Sequence, residues 1–413
     1  MIRPMLKTAL PRTWRDRSAL QFGAVAERAT VLDGVEPEVS AFLDLVDGSR
    51  ETARLVAEGE RLGLGPGQPL ELLASLARAG LLDDAGAQQA LGPLPGRHRE
   101  RLAPDLASLS LVHPEPGAAP GLLADRAAAM VRVHGAGRVG AAVAALLTAA
   151  GVGRVEVCDG GRVTAADCSP AGIPPQDVGR LRSTAVREAM HRAGGGPQAR
   201  SADEGRPPDV VVLAPRDGSA GLAVDPGQGQ ELMRAGVPHL YTGVVEHLGL
   251  VGPLVLPGAA ACGSCVSLHR GDRDPAWPRL VAQLCSDGAA RARTPACDTA
   301  VAAAVAGLAA LHVLTLLGGF RPPSVDGLLE VSAADGMVRR LRMPLHPECG
   351  CAWYSGGSSV GGGGAGGGGA GGGGGGGHAR GPAGAAEVAG TMARGRLSAT
   401  AREPGGQVPG RPV

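Results

Sequence analysis

The stretch from Val131 to Asp159, VRVHGAGRVGAAVAALLTAAGVGRVEVCD, limits most strongly what this chain can fold into. Val131-Arg132-Val133-His134 predicts a strand. Gly135, Gly137 and Gly140 follow in the G-x-G-x-x-G spacing. Val139 to Ala150 predicts a helix stopped by Gly151 and Gly153, and Arg154 to Cys158 predicts a second strand closed by Asp159, 19 residues beyond Gly140. Each part suits a nucleotide. Gly135 permits the tight turn, Gly137 lets the backbone approach a phosphate, and Gly140 lets the helix pack on the strand. The helix N-terminus offers N–H groups to anionic oxygens, and the acid accepts ribose hydroxyls. In a chain with 68 glycines the spacing alone is weak. The strand before, the helix after and the acid at the right distance separate a nucleotide site from a purely structural turn.

A chain of 413 residues has room for two or three domains. Its 40 basic and 39 acidic residues leave a net charge of +1, which argues against nucleic-acid binding driven by bulk charge. Lys7 is the only lysine, so almost every cation is a guanidinium. With aromatics at 2%, the core must be Leu, Val and Ala. Eight cysteines in a chain of this length do not make a disulfide scaffold. The start, MIRPMLKTALPRTWRD, shows no apolar segment followed by a small-residue cleavage site, so no signal peptide is expected. The most apolar run, Val301 to Gly318, is short for a membrane span, rich in Ala, and carries His312; a buried helix and a cytoplasmic protein are expected.

Residues 1–90 read as a separate small α+β unit. Ala19 to Gly23 and Arg28 to Leu32 predict short strands. Pro37 to Asp47, Glu51 to Leu62 and Leu70 to Leu82 predict three helices, giving a winged-helix-like plan. No helix carries a basic face, which disfavours DNA binding. Residues 91–129, rich in Ala, Gly and Pro, read as a linker with one short strand near Leu109 to Val112. Residues 130–354 read as the main domain. Asp209 to Ala214 (DVVVLA) is the continuous apolar run of a buried parallel strand, Pro238 to Val244 and Gly249 to Val255 predict further strands, and a helix is expected from Asp177 to about Ala193. The alternation predicts a doubly wound, Rossmann-like α/β sheet. The glycine-rich tail, 355–413, cannot bury apolar surface and is expected to be disordered.

Two cysteine pairs stand far apart in sequence, Cys262-Gly263-Ser264-Cys265 and Cys349-Gly350-Cys351. Four thiolates in two tight pairs suit a closed, structural, tetrahedral Zn2+ site, with His346 as an alternative ligand; a redox role for the C-x-x-C pair is the competing reading.

Together these landmarks resemble the ThiF/MoeB adenylyltransferase family, related to ubiquitin-activating enzymes, over about Val131 to Trp353. The resemblance implies binding of ATP with Mg2+, adenylylation of a peptide or protein C-terminal carboxylate, and pairing as homodimers. It places a phosphate-binding cation at Arg182, where the family carries Lys. It puts the magnesium acid just past the DVVVLA strand, where this chain has Arg216 and then Asp217. It aligns Cys297 with the region in which some members carry an acyl-accepting cysteine. Pro170 stands where the family places an arginine. Residues 1–90 resemble the PqqD-like peptide-recognition domain, on Leu10-Pro11-Arg12, Val31-Leu32-Asp33-Gly34 and Phe42 to Arg50. That resemblance implies capture of a precursor peptide's leader as an added strand, against a plain structural cap. Such pairs of domains resemble proteins of thiazole/oxazole-modified peptide pathways, which deliver a precursor to a cyclodehydratase. The expectation is therefore a ThiF-type protein engaging a ribosomal precursor peptide or small carrier protein, with no nucleic-acid or membrane partner. It is either an active adenylyltransferase or a scaffold that has lost catalysis. Gly135, Gly137, Gly140 and Asp159 are expected to hold the nucleotide, and Arg182, Asp217 and Cys297 to act in catalysis. Cys262, Cys265, Cys349 and Cys351 are expected to hold the metal. A dinucleotide oxidoreductase is the alternative.

Overall fold

The computed structural model describes residues 2–194, 205–216, 226–284, 296–355 and 396–399. The chain divides into two units: Met1–Gln88 with Ala107–Ala119 and Ser359–Val413, and Gln89–Leu106 with Pro120–Ser358.

In the first unit, β1 (Pro4–Leu6), β2 (Arg12–Trp14), β3 (Leu20–Phe22) and β4 (Thr30–Asp33) precede α1 (Pro37–Leu45), α2 (Thr52–Arg61), α3 (Gln68–Arg78) and β5 (Leu82–Asp84). The helices form where expected. Pro37 sits in the first turn of α1, where its missing N–H costs nothing. Val39, Phe42 and Leu43 of α1, Leu55 of α2, and Leu73 and Leu76 of α3 converge on one core with Leu20, Phe22 and Leu32 of the sheet. β1 pairs antiparallel with β5, and β2, β3 and β4 form an antiparallel sheet. The pairing of β1 with β5 was not legible, because three-residue strands carry too few alternations to stand out. A strand within the 355–413 tail, Arg396–Ala399, pairs antiparallel with the edge of β4, Arg396 opposite Asp33 and Ala399 opposite Thr30; it is β13, the last strand among the described residues.

The stretch read as a linker is helical: α4 (Gly96–Arg101), α5 (Ala103–Val112) and α6 (Ala118–Ala128). The strand expected near Leu109 to Val112 is the end of α5. The buried side chains Leu102, Leu109 and Leu123 supply the anchoring that its Gly- and Pro-rich composition concealed.

The second unit holds a seven-stranded sheet. Its elements in chain order are β6 (Met130–His134), α7 (Arg138–Ala149), β7 (Arg154–Cys158), α8 (Arg182–Arg192), β8 (Val210–Leu213), α9 (Pro226–Arg234), β9 (His239–Val245), β10 (Leu248–Val255), α10 (Gly263–Arg273), α11 (Trp277–Leu284), α12 (Thr299–Leu317), β11 (Gly327–Ser332) and β12 (Val338–Arg342). The sheet order is β12-β11-β10-β9-β8-β6-β7. β7, β6, β8 and β9 are parallel, the arrangement a doubly wound α/β domain requires. The other half departs from the expected alternation: β9 to β12 are antiparallel, and β11 and β12 were not foreseen. Alternate residues of β8 serve opposite faces. Val210 and Val212 pack with α7 and α12, while Val211 and Leu213 pack with the cysteine-bearing segment. α12 has the length and hydropathy of a membrane span, but one side of it, including Val301, Val305, Ala309 and Val313, is buried in the core. Its N-cap Asp298 accepts hydrogen bonds from the N–H groups of Ala300 (2.8 Å) and Val301 (3.1 Å), closing the helix start.

Candidate functional site

The glycine turn lies between β6 and α7, at the C-terminal end of the parallel strands, where open α/β sheets bind ligands. Gly135 has φ of +101°, and a Cβ there would collide with the carbonyl of Ala214 at the end of β8. A Cβ on Gly140 would strike the carbonyl of Gly135, so both glycines are fixed by backbone packing. Gly137 is different. A Cβ there would lie 3.3 Å from Cα and Cγ of Arg216, so the residue expected to admit a phosphate already has an arginine packed on it.

Asp159 follows β7 directly. Its Oδ2 accepts from the N–H of Ala136 in the glycine turn (2.9 Å), and its Oδ1 accepts from the N–H of Gly161 (2.8 Å) and from Arg182 Nε (2.9 Å). Arg182 Nη2 is 2.8 Å from the same Oδ1, and the two side chains are 14% and 8% exposed. Burial pushes the Asp159 carboxyl up, but the donors from Arg182, Gly161 and Ala136 together hold it below its usual value. A carboxylate oxygen has two lone-pair directions. Among the described residues Oδ2 receives one donor, so it retains capacity for a ribose hydroxyl without loss of an existing bond.

A second pair lies beside the first. Asp167 is 1% exposed and caps the short 3-10 turn Ala165–Asp167, accepting from the N–H (2.7 Å) and Oγ1 (2.8 Å) of Thr164. Its other oxygen accepts from Arg216 Nε, and Arg216 Nη2 donates to Thr164 Oγ1 at 2.9 Å. Burial raises the Asp167 carboxyl; the Arg216 and Thr164 bonds outweigh it and hold the acid ionised. Arg182 Nη1 lies 3.8 Å from Asp167 Oδ2, which links the two pairs. Pro170 is exposed on the following loop and offers no charge.

Arg138, the first residue of α7, donates to the carbonyls of Ala166 (2.8 Å) and Cys297 (2.7 Å) and to Thr299 Oγ1 (3.1 Å). It therefore ties the Cys297 backbone to the glycine turn. Burial pushes the Cys297 thiol up, Arg138 opposes this and Asp298 reinforces it, so the net shift is opposite to the one that activates a thiolate. Asp217 lies outside the described residues.

The four cysteines converge on the other face of the sheet. Cys262 caps the start of α10, Cys265 lies in its first turn, and Cys349 and Cys351 arrive on the segment after β12. The Sγ–Sγ separations are 4.0 Å for Cys262–Cys265, 3.6 Å for Cys262–Cys349 and 3.4 Å for Cys265–Cys351. Tetrahedral zinc with Zn–S near 2.3 Å requires separations of about 3.8 Å, so the donor set fits zinc. The ion would hold the segment after β12 to α10 and perform no chemistry. The Cys262 thiol is held below its usual value, chiefly by its hydrogen bonding with Cys265. His346 does not belong to the tetrad. Its Nδ1 accepts from the N–H of Glu348 (3.1 Å), so its Nε2 donates to Asp272 Oδ2 (2.9 Å).

The structure thus brings Asp159 and Arg182 to the turn that holds Gly135, Gly137 and Gly140, and gathers the four cysteines on the other face. Asp167 was not among the candidates the sequence suggested, although Thr164-Ala165-Ala166-Asp167 has the spacing of a capping box. The packing of Arg216 on Gly137 and the bonds from Arg138 to the carbonyls of Ala166 and Cys297 are revealed only by the tertiary fold.

Residues 120–214 match the family model described as the ThiF family. The chain carries a ThiF-family domain. E. coli MccB in complex with AMPCPP and MccA is similar to it with a TM-score of 0.60 and 16% identity, over 85% of this chain and 99% of that one. E. coli MccB with ATP gives 0.57 and 15%, over 85% and 99%, and PaaA gives 0.58 and 17%, over 82% and 99%. At these identities the likeness is one of fold. No curated protein sequence matches the chain. A dinucleotide oxidoreductase explains the glycine turn but neither the ThiF match nor the cysteine tetrad.

Proposed function

We propose that this chain is an ATP-binding, adenylyltransferase-like protein that engages a ribosomal precursor peptide or small carrier protein. The observation that carries the reading is Asp159. It is tied to the glycine turn through Ala136, has a spare acceptor position on Oδ2, and lies within the ThiF-family match. E. coli MccB, a microcin C7 biosynthetic enzyme, has been solved with ATP and with MccA, which supports a nucleotide and a peptide as ligands here. In the proposed reaction a C-terminal carboxylate oxygen of the acceptor attacks the α-phosphorus of ATP. The bond to the β-phosphate oxygen breaks, an acyl-adenylate forms and pyrophosphate leaves. Mg2+ would screen the phosphates, with Asp217 as the candidate ligand.

Peptide capture is assigned to the first unit. The edge of β4 accepts an antiparallel strand, β13, which supports strand addition as its mode of recognition. A scaffold that grips a leader and presents the precursor to a cyclodehydratase or another modifying enzyme is the second reading. Pro170 favours it, because the family's arginine is missing there. ATP–pyrophosphate exchange with candidate precursors separates the two. Exchange establishes the enzyme, whereas peptide binding with neither exchange nor ATP binding leaves only the scaffold. Loss of peptide affinity on deletion of residues 1–88 is expected, and unchanged affinity removes the peptide role from that unit.

A further inference from the structure

Only part of the positive charge that the resemblance implied is free at the glycine turn. Pro170 carries no charge, and Arg182 is committed to Asp159. Two other arginines lie beside Gly137 in the chain or in space. Arg138 follows it directly, and Arg216 packs on it with Cα and Cγ 3.3 Å from the position a Cβ would take. Arg138 is held by two carbonyls and a hydroxyl, which supply no negative charge. Arg216 spends Nε on Asp167 and Nη2 on Thr164. Among the described residues its Nη1 takes no partner, and its side chain is 39% exposed. Among the described residues, Arg138, Arg182 and Arg216 thus stand with Asp159 and Asp167 at the positive end of α7, and the donors of Arg216 are only partly used.

We propose that Arg216 is the phosphate-binding cation of the nucleotide site, supplying from the β8 end the charge that Pro170 fails to supply from its loop. Asp167 and Thr164 orient the guanidinium by one edge, and Nη1 is presented beside Gly137 to the phosphates of a nucleoside triphosphate. The fork geometry permits this double duty, since a guanidinium bonded along one edge keeps donors on the other. The inference rests on the nucleotide reading above.

The test is binding of ATP, ADP, AMP and adenosine to the full chain, followed by calorimetry. Wild type should bind ATP more tightly than adenosine. Arg216→Ala should weaken ATP by about tenfold or more and leave adenosine unchanged, and Arg216→Lys should fall between them. Loss of Arg216 leaves Asp167 buried without its cation. The double variant Arg216→Gln/Asp167→Asn therefore keeps a neutral hydrogen-bonded pair and reads the same loss if the single variant does not fold. Equal ATP affinity in wild type and the folded Arg216 variants overturns the inference alone. Wild type that binds neither ATP nor adenosine overturns the nucleotide reading with it.

Discussion

Removal of Arg182 tests the architecture of the nucleotide cradle directly. Asp159 and Arg182 are 8% and 14% exposed, so their pair is far less screened than one at the surface. Breaking a buried pair from one side costs about 3–5 kcal/mol, because the remaining charge is buried uncompensated. Asp159 keeps the N–H donors of Ala136 and Gly161, which places Arg182→Ala at the lower end, about 3 kcal/mol. For a unit of this size that lowers the melting temperature by about 6–12 °C. The pH dependence gives the sign. In wild type the Asp159 carboxyl is held below its ordinary 3.8, so its contribution is complete above that pH and is lost as pH falls through the lower folded value. In Arg182→Ala the donors of Gly161 and Ala136 remain but burial is less opposed, so the folded pKa rises relative to wild type and the stabilisation at neutral pH shrinks. The deficit against wild type should be largest near pH 7 and shrink below about pH 4. Asp159→Asn in the Arg182→Ala background should recover part of the loss, a coupling of about 1–3 kcal/mol. Urea unfolding of the four proteins at pH 7 and at acidic pH measures all of this. A melting temperature for Arg182→Ala within 1–2 °C of wild type, or additive single variants, would refute the reasoning.

Three further outcomes are expected. Purified protein should contain about one zinc per chain by elemental analysis; metal content near zero in folded protein would end the zinc reading, and Cys262→Ser should lose both metal and thermal stability. Gly135→Ala should destabilise by about 2–3 kcal/mol or more in urea, since φ of +101° and the Ala214 carbonyl both oppose a Cβ, and a neutral result would mean the turn can rearrange. His312 is buried with Nδ1 2.8 Å from Ser324 Oγ, and burial holds its pKa below 6.5. The unfolded chain therefore binds its proton first, stability should fall as pH drops below 6.5, and His312→Gln should flatten melting curves taken between pH 7.5 and 5.5.

The parts legible in the sequence are those whose signal is local. The glycine spacing, the helix after it and Asp159 lie within 29 consecutive residues and fold into β6, α7 and β7 with that order and register. The cysteine pairs were readable across a long gap because paired thiols at close spacing have few other uses. What stayed hidden depends on contacts between distant segments. Nothing near Arg216 announces that it packs on Gly137, and nothing near Arg182 announces that it would be drawn to Asp159. The antiparallel half of the sheet was obscured for a related reason. β12 is exposed and rich in Arg (Val338-Arg339-Arg340-Leu341-Arg342), so it lacks the apolar alternation by which a half-buried strand is recognised. The helices α4 to α6 were missed because Pro and Gly at their margins outweighed a few well-spaced leucines.

The scarcity of lysine bears on whether the cradle can act on phosphates at all. Lys7 is buried in the first unit, with Nζ donating to the carbonyls of Ser110 (2.5 Å) and Pro114 (3.3 Å), and burial draws its pKa down. Every side-chain cation at the glycine turn is therefore a guanidinium. An ammonium paired with Asp159 or Asp167 would have its single compact charge spent on that carboxylate. A guanidinium divides its donors: Arg182 gives Nε and Nη2 to Asp159 and Nη1 to the carbonyl of Arg162, whereas Arg216 gives two nitrogens to the Asp167–Thr164 pair and, among the described residues, keeps the third without a partner. The two arginines thus have different capacities despite similar pairing. Each nitrogen of Arg182 already has an acceptor, which suits the role of fixing Asp159 towards a ribose. Among the described residues Nη1 of Arg216 has none, which suits contact with a phosphate. Substitution of lysine at the two positions should therefore have unequal effects. Arg182→Lys should chiefly cost stability, through loss of the second bond to Asp159, while Arg216→Lys should chiefly cost nucleotide affinity. The opposite assignment would show that Arg182, not Arg216, meets the phosphates.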